Sequence, residues 1–223
     1  MKNKKHLAFL GDIMLFVVVL ATGVYIQEDL RRNGQQVILA TVPVDPRDIL
    51  RGDYVDLAYE IGRSEKATNF AKSMEESAPV YALLTLGEDN RVVDYTFSIT
   101  EPKEGVYIRG EGVVEEYEFY QDEGKNKDPI LVKEKRGSIR YPQIEQYFVP
   151  EGKGWAIGRM GQTGSGKKLE AKIVLDENGR AQILELLVDG KTIDLSTIES
   201  ENPYSDEPKE FPETAPVPAE PKE

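Results

Sequence analysis

The sequence lacks cysteine and contains a single histidine, His6. Without cysteine the chain has no disulfides, no thiolate catalysis and no cysteine-bound metal or iron–sulfur centre. Because His6 lies ahead of the first apolar run, a histidine-bound metal site or a Ser-His-Asp triad is excluded from the rest of the chain. These absences lead us to expect no metal and no cofactor.

Positive charge is also scarce. The 223 residues include 28 lysines and arginines against 40 acidic residues, which gives a net charge of −12. Nucleic acids and anionic lipids are bound by basic patches, so we expect no nucleic-acid partner. From Glu199 onward, eight acidic residues face two lysines, and half of the net charge therefore lies in the last 25 residues. The length suits one ordinary domain with short additions.

The N-terminus predicts a membrane anchor. Residues 7–26 are mostly apolar, and 20 helical residues span about 30 Å, the thickness of a bilayer's hydrocarbon core. Lysines at positions 2, 4 and 5 indicate that residues 1–6 are cytoplasmic. A helical stalk over 27–34 would end at Gly34. The main domain would then lie outside the cytoplasm, on the inner membrane of the cell. A signal peptide cleaved near residues 21–23 and a buried helix of a soluble protein are the alternatives.

Asp12 lies within the predicted anchor. A carboxylate inside a bilayer is costly, so it requires either solvation at the cytoplasmic interface or a polar partner on a neighbouring membrane helix. The second interpretation predicts a multi-pass membrane protein as partner.

Residues 35–195 predict a mainly β domain. Eight segments rich in Val, Ile, Tyr, Phe and Thr are separated by turn-forming residues, which favours an antiparallel sandwich or barrel-like fold. The predicted strands cover residues 35–44, 53–62, 79–87, 91–100, 105–120, 137–149, 168–176 and 180–190. Residues 63–78 predict a short helix or an insertion. Residues 196–223 contain six of the 13 prolines and many acids, so we predict a disordered tail.

The stretch GQTGSGKK, residues 161–168, is similar to a phosphate-binding loop. Such a loop needs a helix after it, whereas apolar residues alternate in the segments that follow and DENG separates them, which indicates a β-hairpin. Lys168 also stands where a magnesium-binding Ser or Thr is required. We therefore expect no nucleotide and interpret the stretch as a glycine-rich loop.

The segment 41–62, TVPVDPRDILRGDYVDLAYEIG, is the most distinctive. Asp45 can cap a helical turn, with Pro46 at its first position and Asp48 completing a capping box, and Gly52 would end it. In the strand that follows, residues 55, 57, 59 and 61 share one face, which we expect to be core. Residues 54, 56, 58 and 60 form the other face.

This segment resembles the motif that names the GDYXXLXY family. The matching residues are Gly52, Asp53, Tyr54, Leu57 and Tyr59, preceded by PVDPRDILR, which contains Asp45, Pro46 and Asp48. The later stretches IEQYFVPEGKG (144–154) and VDGK (188–191) are also similar to that family. The resemblance implies a bacterial membrane-anchored protein with an extracytoplasmic domain, often found alongside multi-pass membrane proteins. It implies no established reaction.

Two catalytic interpretations stay open. The carboxylates of the motif segment could bind a hard cation or act in acid–base chemistry, although capping roles are available to them. RGDYV also resembles the turn before a strand in signal-peptidase-like proteases, which need a nucleophilic serine and a lysine base. Candidate serines are Ser64, Ser98 and Ser138. We assign no catalytic residue.

A second candidate surface lies in residues 141–155, where Tyr141, Tyr147, Phe148 and Trp155 could line a groove or belong to the core. The hypothesis of a partner-binding surface joins this stretch to the motif strand and to the anchor. Its residues are Asp12, Tyr54, Asp56, Tyr59, Glu145, Tyr147 and Glu151. The sequence thus predicts a non-enzymatic accessory or assembly subunit that binds an integral membrane protein. A carboxylate- or Ser/Lys-based hydrolase and a small-ligand-binding module are the alternatives.

Overall fold

The computed structural model of the chain describes residues 2–42, 54–121, 130–160 and 166–199. A long helix, α1 (Lys2–Asn33), leads into a strand-rich domain with a curled half-barrel sheet. The predicted mainly β, barrel-like fold with one N-terminal apolar helix is therefore confirmed.

Within the described ranges the domain contains the following elements after α1. The strands are β1 (Gln35–Val42), β2 (Tyr54–Asp56), β3 (Ala58–Tyr59), β4 (Ala78–Leu86), β5 (Val92–Ser98), β6 (Val106–Gln121), β7 (Ile130–Arg140), β8 (Gln146–Phe148), β9 (Leu169–Leu175), β10 (Ala181–Val188) and β11 (Lys191–Thr192). The helices are α2 (Glu60–Arg63), α3 (Glu65–Lys72) and α4 (Gly154–Met160), and a 3-10 turn spans Pro142–Ile144.

The strands form three hydrogen-bonded groups. The first sheet has the order β11-β10-β9-β1-β3, the second has the order β5-β4-β6-β7, and among the described residues β2 and β8 form a two-stranded sheet. The ladders between these described strands are all antiparallel. The two larger sheets meet where Ile38 of β1 donates its backbone N–H to the Asn90 carbonyl before β5, at 2.9 Å. The buried core contains side chains of both sheets and of the helices, among them Ala67, Ala71 and Ile157.

Helix α1 joins the domain without a separate linker. The Gly34 N–H donates to the Leu30 carbonyl at 3.0 Å, and β1 begins at the next residue. A Cβ at Gly34 would lie 2.4 Å from Cγ2 of Val174 on β9, so glycine is required for this close approach. The helix end therefore packs directly against the first sheet. Within α1, the stretch Phe9–Asn33 is long and apolar enough to cross a membrane.

The predicted hairpin after the glycine-rich loop is present, because β9 pairs with β10 along seven residues of β9. The predicted strand 53–62 is wrong at its end, since α2 begins at Glu60. The predicted strand 137–149 is also wrong in its middle. Pro142 has no N–H and starts the 3-10 turn that separates β7 from β8.

The predicted helix over 63–78 is only partly present, because α3 ends at Lys72 and β4 begins at Ala78. Helix α3 starts where the Ser64 hydroxyl accepts from the Ala67 N–H at 3.1 Å. Helix α3 packs against the inner face of β7 at Gly137. A Cβ there would lie 2.7 Å from the Lys72 backbone nitrogen, and the absence of a side chain therefore lets the helix sit close to the strand.

Candidate functional site

The motif strand pairs with the other motif-like stretch, about 90 residues later in the chain. In the ladder between β2 and β8, Tyr54 lies opposite Phe148, Val55 opposite Tyr147, and Asp56 opposite Gln146. The ladder continues with a 2.7 Å hydrogen bond from the Leu57 N–H to the Glu145 carbonyl. The two stretches that the partner-binding hypothesis joined are thus neighbouring strands of one ladder.

The second half of the motif belongs to the core. Leu57 and Tyr59 are 3% and 2% exposed. The Tyr59 hydroxyl donates to the Ile144 carbonyl at 2.7 Å, and its ring meets the Tyr141 ring edge to face at 6.2 Å. Burial, and to a smaller extent the Glu145 carboxylate, raise the pKa of Tyr59. Because Tyr59 is enclosed, its side chain does not belong to the predicted partner-binding surface, and its position is explained by packing.

The remaining aromatic residues of that hypothesis lie on two opposite faces of the ladder. Residues directly opposite each other in an antiparallel pair share a face. Tyr54 and Phe148 therefore share the outer face, with ring centroids 6.1 Å apart, and Phe148 is 67% exposed. Tyr147 shares the inner face with buried Val55 and packs against the core. Tyr54 and Tyr147 therefore do not share one surface, as the hypothesis required. The aromatic residue on the same face as Tyr54 is Phe148.

Tyr147 is half-buried between the ladder and the first sheet. Burial raises its pKa, and the carboxylate of Glu185 on β10 raises it further, while the charge of Arg31 near the end of α1 acts in the opposite direction. The inner face of the ladder therefore turns toward the region where α1 joins the domain.

The four acidic residues of the hypothesis occupy three separate places, because Asp56 and Glu145 border the same cleft. Glu145 accepts two hydrogen bonds from the Arg140 guanidinium, at 3.0 and 2.6 Å, so its charge is already paired. Glu151 is exposed in the turn before α4. Asp12 is exposed on α1, within the apolar stretch. Asp56 lies on the outer face with Tyr54 and also borders a cleft.

This cleft, of about 540 Å³, lies between the motif strand and β7. Residues 56–59 line one side and residues 136–141 the other. Arg63, Thr68, Val113, Glu115 and Glu145 complete the lining. Ser138 is among the lining residues, but no lysine is among the described ones, so the Ser/Lys pair of a hydrolase is not assembled there.

Comparison with known protein families gave a match. A family model described as GDYXXLXY protein matches residues 16–186, well over half of the chain. The chain belongs to the GDYXXLXY family. Comparisons with curated proteins and with solved structures gave no match.

Within the family motif, Tyr54, Leu57 and Tyr59 fall in the described part of the chain. The other motif residues of the sequence analysis, Asp45, Pro46, Asp48, Gly52 and Asp53, lie outside the described residues, as does most of the glycine-rich loop. The capped turn therefore stays a prediction.

The catalytic interpretations find little support in the described ranges of this family member. The Ser64 hydroxyl caps α3, and the Ser98 hydroxyl donates to the Thr100 carbonyl at 2.8 Å. No group of three or more Asp, Glu, His or Cys side chains suited to a metal ion occurs in the part of the chain that the structure describes.

Sequence reasoning missed two features of the site. Phe148 was considered only as a groove residue, although its position next to Tyr147 places it on the opposite face of any strand. The cleft arginines Arg63 and Arg136 lie outside both motif stretches, and no local sequence signal joins them.

Proposed function

We propose that this GDYXXLXY protein is a membrane-anchored, extracytoplasmic accessory subunit that binds an integral membrane protein without catalysing a reaction. The observation that carries the proposal is the outer face of the β2–β8 ladder, where Phe148 is 67% exposed and contacts the motif residue Tyr54. Large aromatic side chains that stay exposed on a rigid strand are typical anchors of protein interfaces.

The position of α1 supports the same function. The stretch Phe9–Asn33 ends directly at the domain, and only its last residues, 27–33, are mostly polar, so an anchor over residues 7–26 would hold the domain within about two helical turns of the bilayer surface. Lysines at positions 2, 4 and 5 favour a cytoplasmic N-terminus on the inner membrane, with the domain on the opposite side. In this orientation Asp12 would lie within reach of a polar group on a partner's membrane helix.

The test is purification of the full-length tagged protein from its native cells in a mild detergent, followed by mass spectrometry of the proteins that accompany it. We expect a multi-pass membrane protein in equimolar amount. Phe148→Ala and Tyr54→Ala should each reduce that amount at least tenfold while leaving the domain folded, because both side chains lie on the outer face. Asp12→Asn should weaken the complex because it removes the charge that would face a polar group on the partner's membrane helix.

Ile99→Ala is the matched control, because Ile99 is also 67% exposed but follows β5, away from the ladder. The multi-pass membrane protein should copurify with the Ile99→Ala variant at the wild-type level. Purification of the wild-type protein without a stoichiometric membrane protein would refute the proposal. Equal losses in Ile99→Ala and Phe148→Ala would show that the β2–β8 ladder has no special role.

A further inference from the structure

The β2–β8 ladder is short and needs support from other parts of the domain. It contains three residue pairs, and in the part of the chain that the structure describes β2 and β8 form a two-stranded sheet of their own. A two-stranded ribbon is only marginally stable by itself in water. The ladder that carries Tyr54 and Phe148 is therefore held in place by the elements that pack against it.

Helix α4 holds the motif strand at its backbone. A Cβ at Gly154, the first residue of α4, would lie 3.0 Å from the Tyr54 carbonyl oxygen and 3.4 Å from the Tyr54 nitrogen. The absence of a side chain at Gly154 therefore lets the helix begin directly against the backbone of Tyr54. Ile157, one turn later, is fully buried in the core. A displacement of the start of α4 would therefore displace the motif strand as well.

Lys153 directly precedes α4 and joins it to a distant part of the chain. Its carbonyl accepts the Ile157 N–H at 3.1 Å, so Lys153 belongs to the first helical turn. Its ammonium group donates to the Leu195 carbonyl, 42 residues later, in a partly buried position. A hydrogen bond from a charged donor is stronger than one between neutral groups. The Lys153 side chain therefore ties the start of α4 to residue 195.

Residues 191–198 form a strap along the edge of the first sheet. Strand β11 pairs with β10, and the Ile193 N–H continues this pairing to the Leu186 carbonyl at 3.0 Å. The Asp194 carboxylate then accepts from the backbone N–H and the hydroxyl of Ser196, at 2.9 and 2.6 Å, which fixes a turn. Three apolar side chains of the strap pack against the core: Ile193, Leu195 and Ile198.

Electrostatics reinforce the contact between the strap and Lys153. Hydrogen bonds from Ser196 lower the pKa of Asp194, and the charge of Lys153 lowers it further. Asp194 is therefore negatively charged at neutral pH, within electrostatic reach of the ammonium group that bonds to the next residue. The strap thus offers Lys153 a charge as well as a carbonyl.

We propose that Lys153 is a positioning residue for the outer face of the ladder, because it ties the start of α4 to the strap and so fixes Tyr54 beside Phe148. This role depends on the proposed function, in which that face is the contact surface. A surface that is already ordered before binding costs less entropy on association. Coupling of this kind is reciprocal, so a partner bound to the outer face should also stabilise the strap.

The test is hydrogen exchange of the full-length protein in a mild detergent, resolved to single amides by mass spectrometry. The reporter is the Leu57 N–H, which extends the ladder through its bond to the Glu145 carbonyl. Lys153→Met keeps an unbranched side chain but removes the charged donor, and it should speed exchange at Leu57 about tenfold or more. Lys153→Arg should restore most of the protection, because a guanidinium can donate to the same carbonyl.

Two controls separate positioning from a general loss of stability. The Ile38 N–H, which bonds to the Asn90 carbonyl between the two larger sheets, should exchange at the wild-type rate in each variant. Lys191→Met is the matched variant, because Lys191 is an exposed lysine of the strap on β11, and it should leave exchange at Leu57 unchanged. An unchanged rate at Leu57 in Lys153→Met would overturn the proposal. Equal acceleration at Leu57 and Ile38, or equal effects of Lys153→Met and Lys191→Met, would also overturn it.

Copurification from native cells completes the test. Because only the ordered face binds, Lys153→Met should lose about half or more of the accompanying membrane protein, and Lys153→Arg should regain it. Full copurification with Lys153→Met would overturn the positioning role, and if Phe148→Ala still loses the partner, the proposed function stands. If no membrane protein accompanies the wild-type protein, the proposed function fails, and exchange at Leu57 alone decides whether Lys153 holds the ladder.

Discussion

Two buried tyrosines in edge-to-face contact differ in the hydrogen bonding of their hydroxyl groups, and unfolding experiments can measure the effect of that difference. Tyr59 and Tyr141 are 2% and 1% exposed, and their ring planes meet at 83°. The Tyr59 hydroxyl donates to the Ile144 carbonyl, whereas the Tyr141 hydroxyl has no hydrogen-bond partner among the described residues. We predict that Tyr59→Phe destabilises the domain and that Tyr141→Phe does not.

The expected magnitudes follow from hydrogen bonding, because both substitutions keep the ring and its packing. Tyr59→Phe leaves the buried Ile144 carbonyl without its donor, which costs about 1–3 kcal/mol of unfolding free energy. Tyr141→Phe removes an unpaired buried hydroxyl, so it should leave the unfolding free energy unchanged or raise it by up to about 1 kcal/mol. For a chain of this length, a difference of about 2 kcal/mol between the variants corresponds to roughly 4–8 °C in melting temperature.

The assay is urea and thermal unfolding of the full-length protein in a mild detergent, followed by near-ultraviolet circular dichroism. The two variants should move to opposite sides of the wild type, or Tyr141→Phe should coincide with it. Equal destabilisation by both variants would show that the Tyr141 hydroxyl has a partner or that the rings repack. In either case the assignment of their roles from hydrogen bonding would be refuted.

The remaining predictions concern an ion pair, a close contact and alkaline pH. The Glu170 carboxylate is 4% exposed and accepts two hydrogen bonds of 3.2 Å from the guanidinium of Arg91, which is one-third exposed. Glu170→Gln should therefore lower the unfolding free energy by about 1–2 kcal/mol, as measured by denaturant titration. Gly137→Val should cost about 2 kcal/mol or more by displacing α3 from β7, measured in the same way, and a wild-type midpoint would contradict the close contact. Burial raises the pKa of Tyr59 and Tyr141, and burial with the Glu101 carboxylate raises the pKa of Tyr107 to about 12. Since unfolded tyrosine ionises near about pH 10, the stability that these three tyrosines contribute should be constant below about pH 10 and be lost above it, and a melting temperature that does not change between about pH 9 and about pH 11 would contradict this.

Alternation along the sequence predicted which motif residues are buried. Val55, Leu57, Tyr59 and Ile61 are all at most 4% exposed, although Ile61 belongs to a helical turn instead of a strand. The same alternation predicted only one of the two buried faces of β9. Residues 170 and 174 of that strand are also buried, because β9 is a central strand and both of its faces are covered.

The second face of β9 is covered by parts of the chain that no local pattern connects to it. Val174 meets Gly34 at the end of α1, and Glu170 meets Arg91 at the start of the β5 hairpin. From the sequence alone, a carboxylate between apolar residues is predicted to face solvent, because the distant cation that allows its burial is not recognised. Pairing between β2 and β8 was unpredictable for the same reason, since its register depends on a contact between residues about 90 positions apart.

The division of the family motif between core and surface separates its structural role from its functional role. Leu57 and Tyr59 are enclosed, so substitutions there change stability, and any loss of binding that follows is ambiguous. Tyr54 lies on the outer face with Phe148, where neither side chain is needed to fill the core. A loss of partner at unchanged melting temperature in Tyr54→Ala can therefore be attributed to a contact surface. For that reason Tyr54, of the motif residues whose positions are described, is the informative position at which to ask what the motif does.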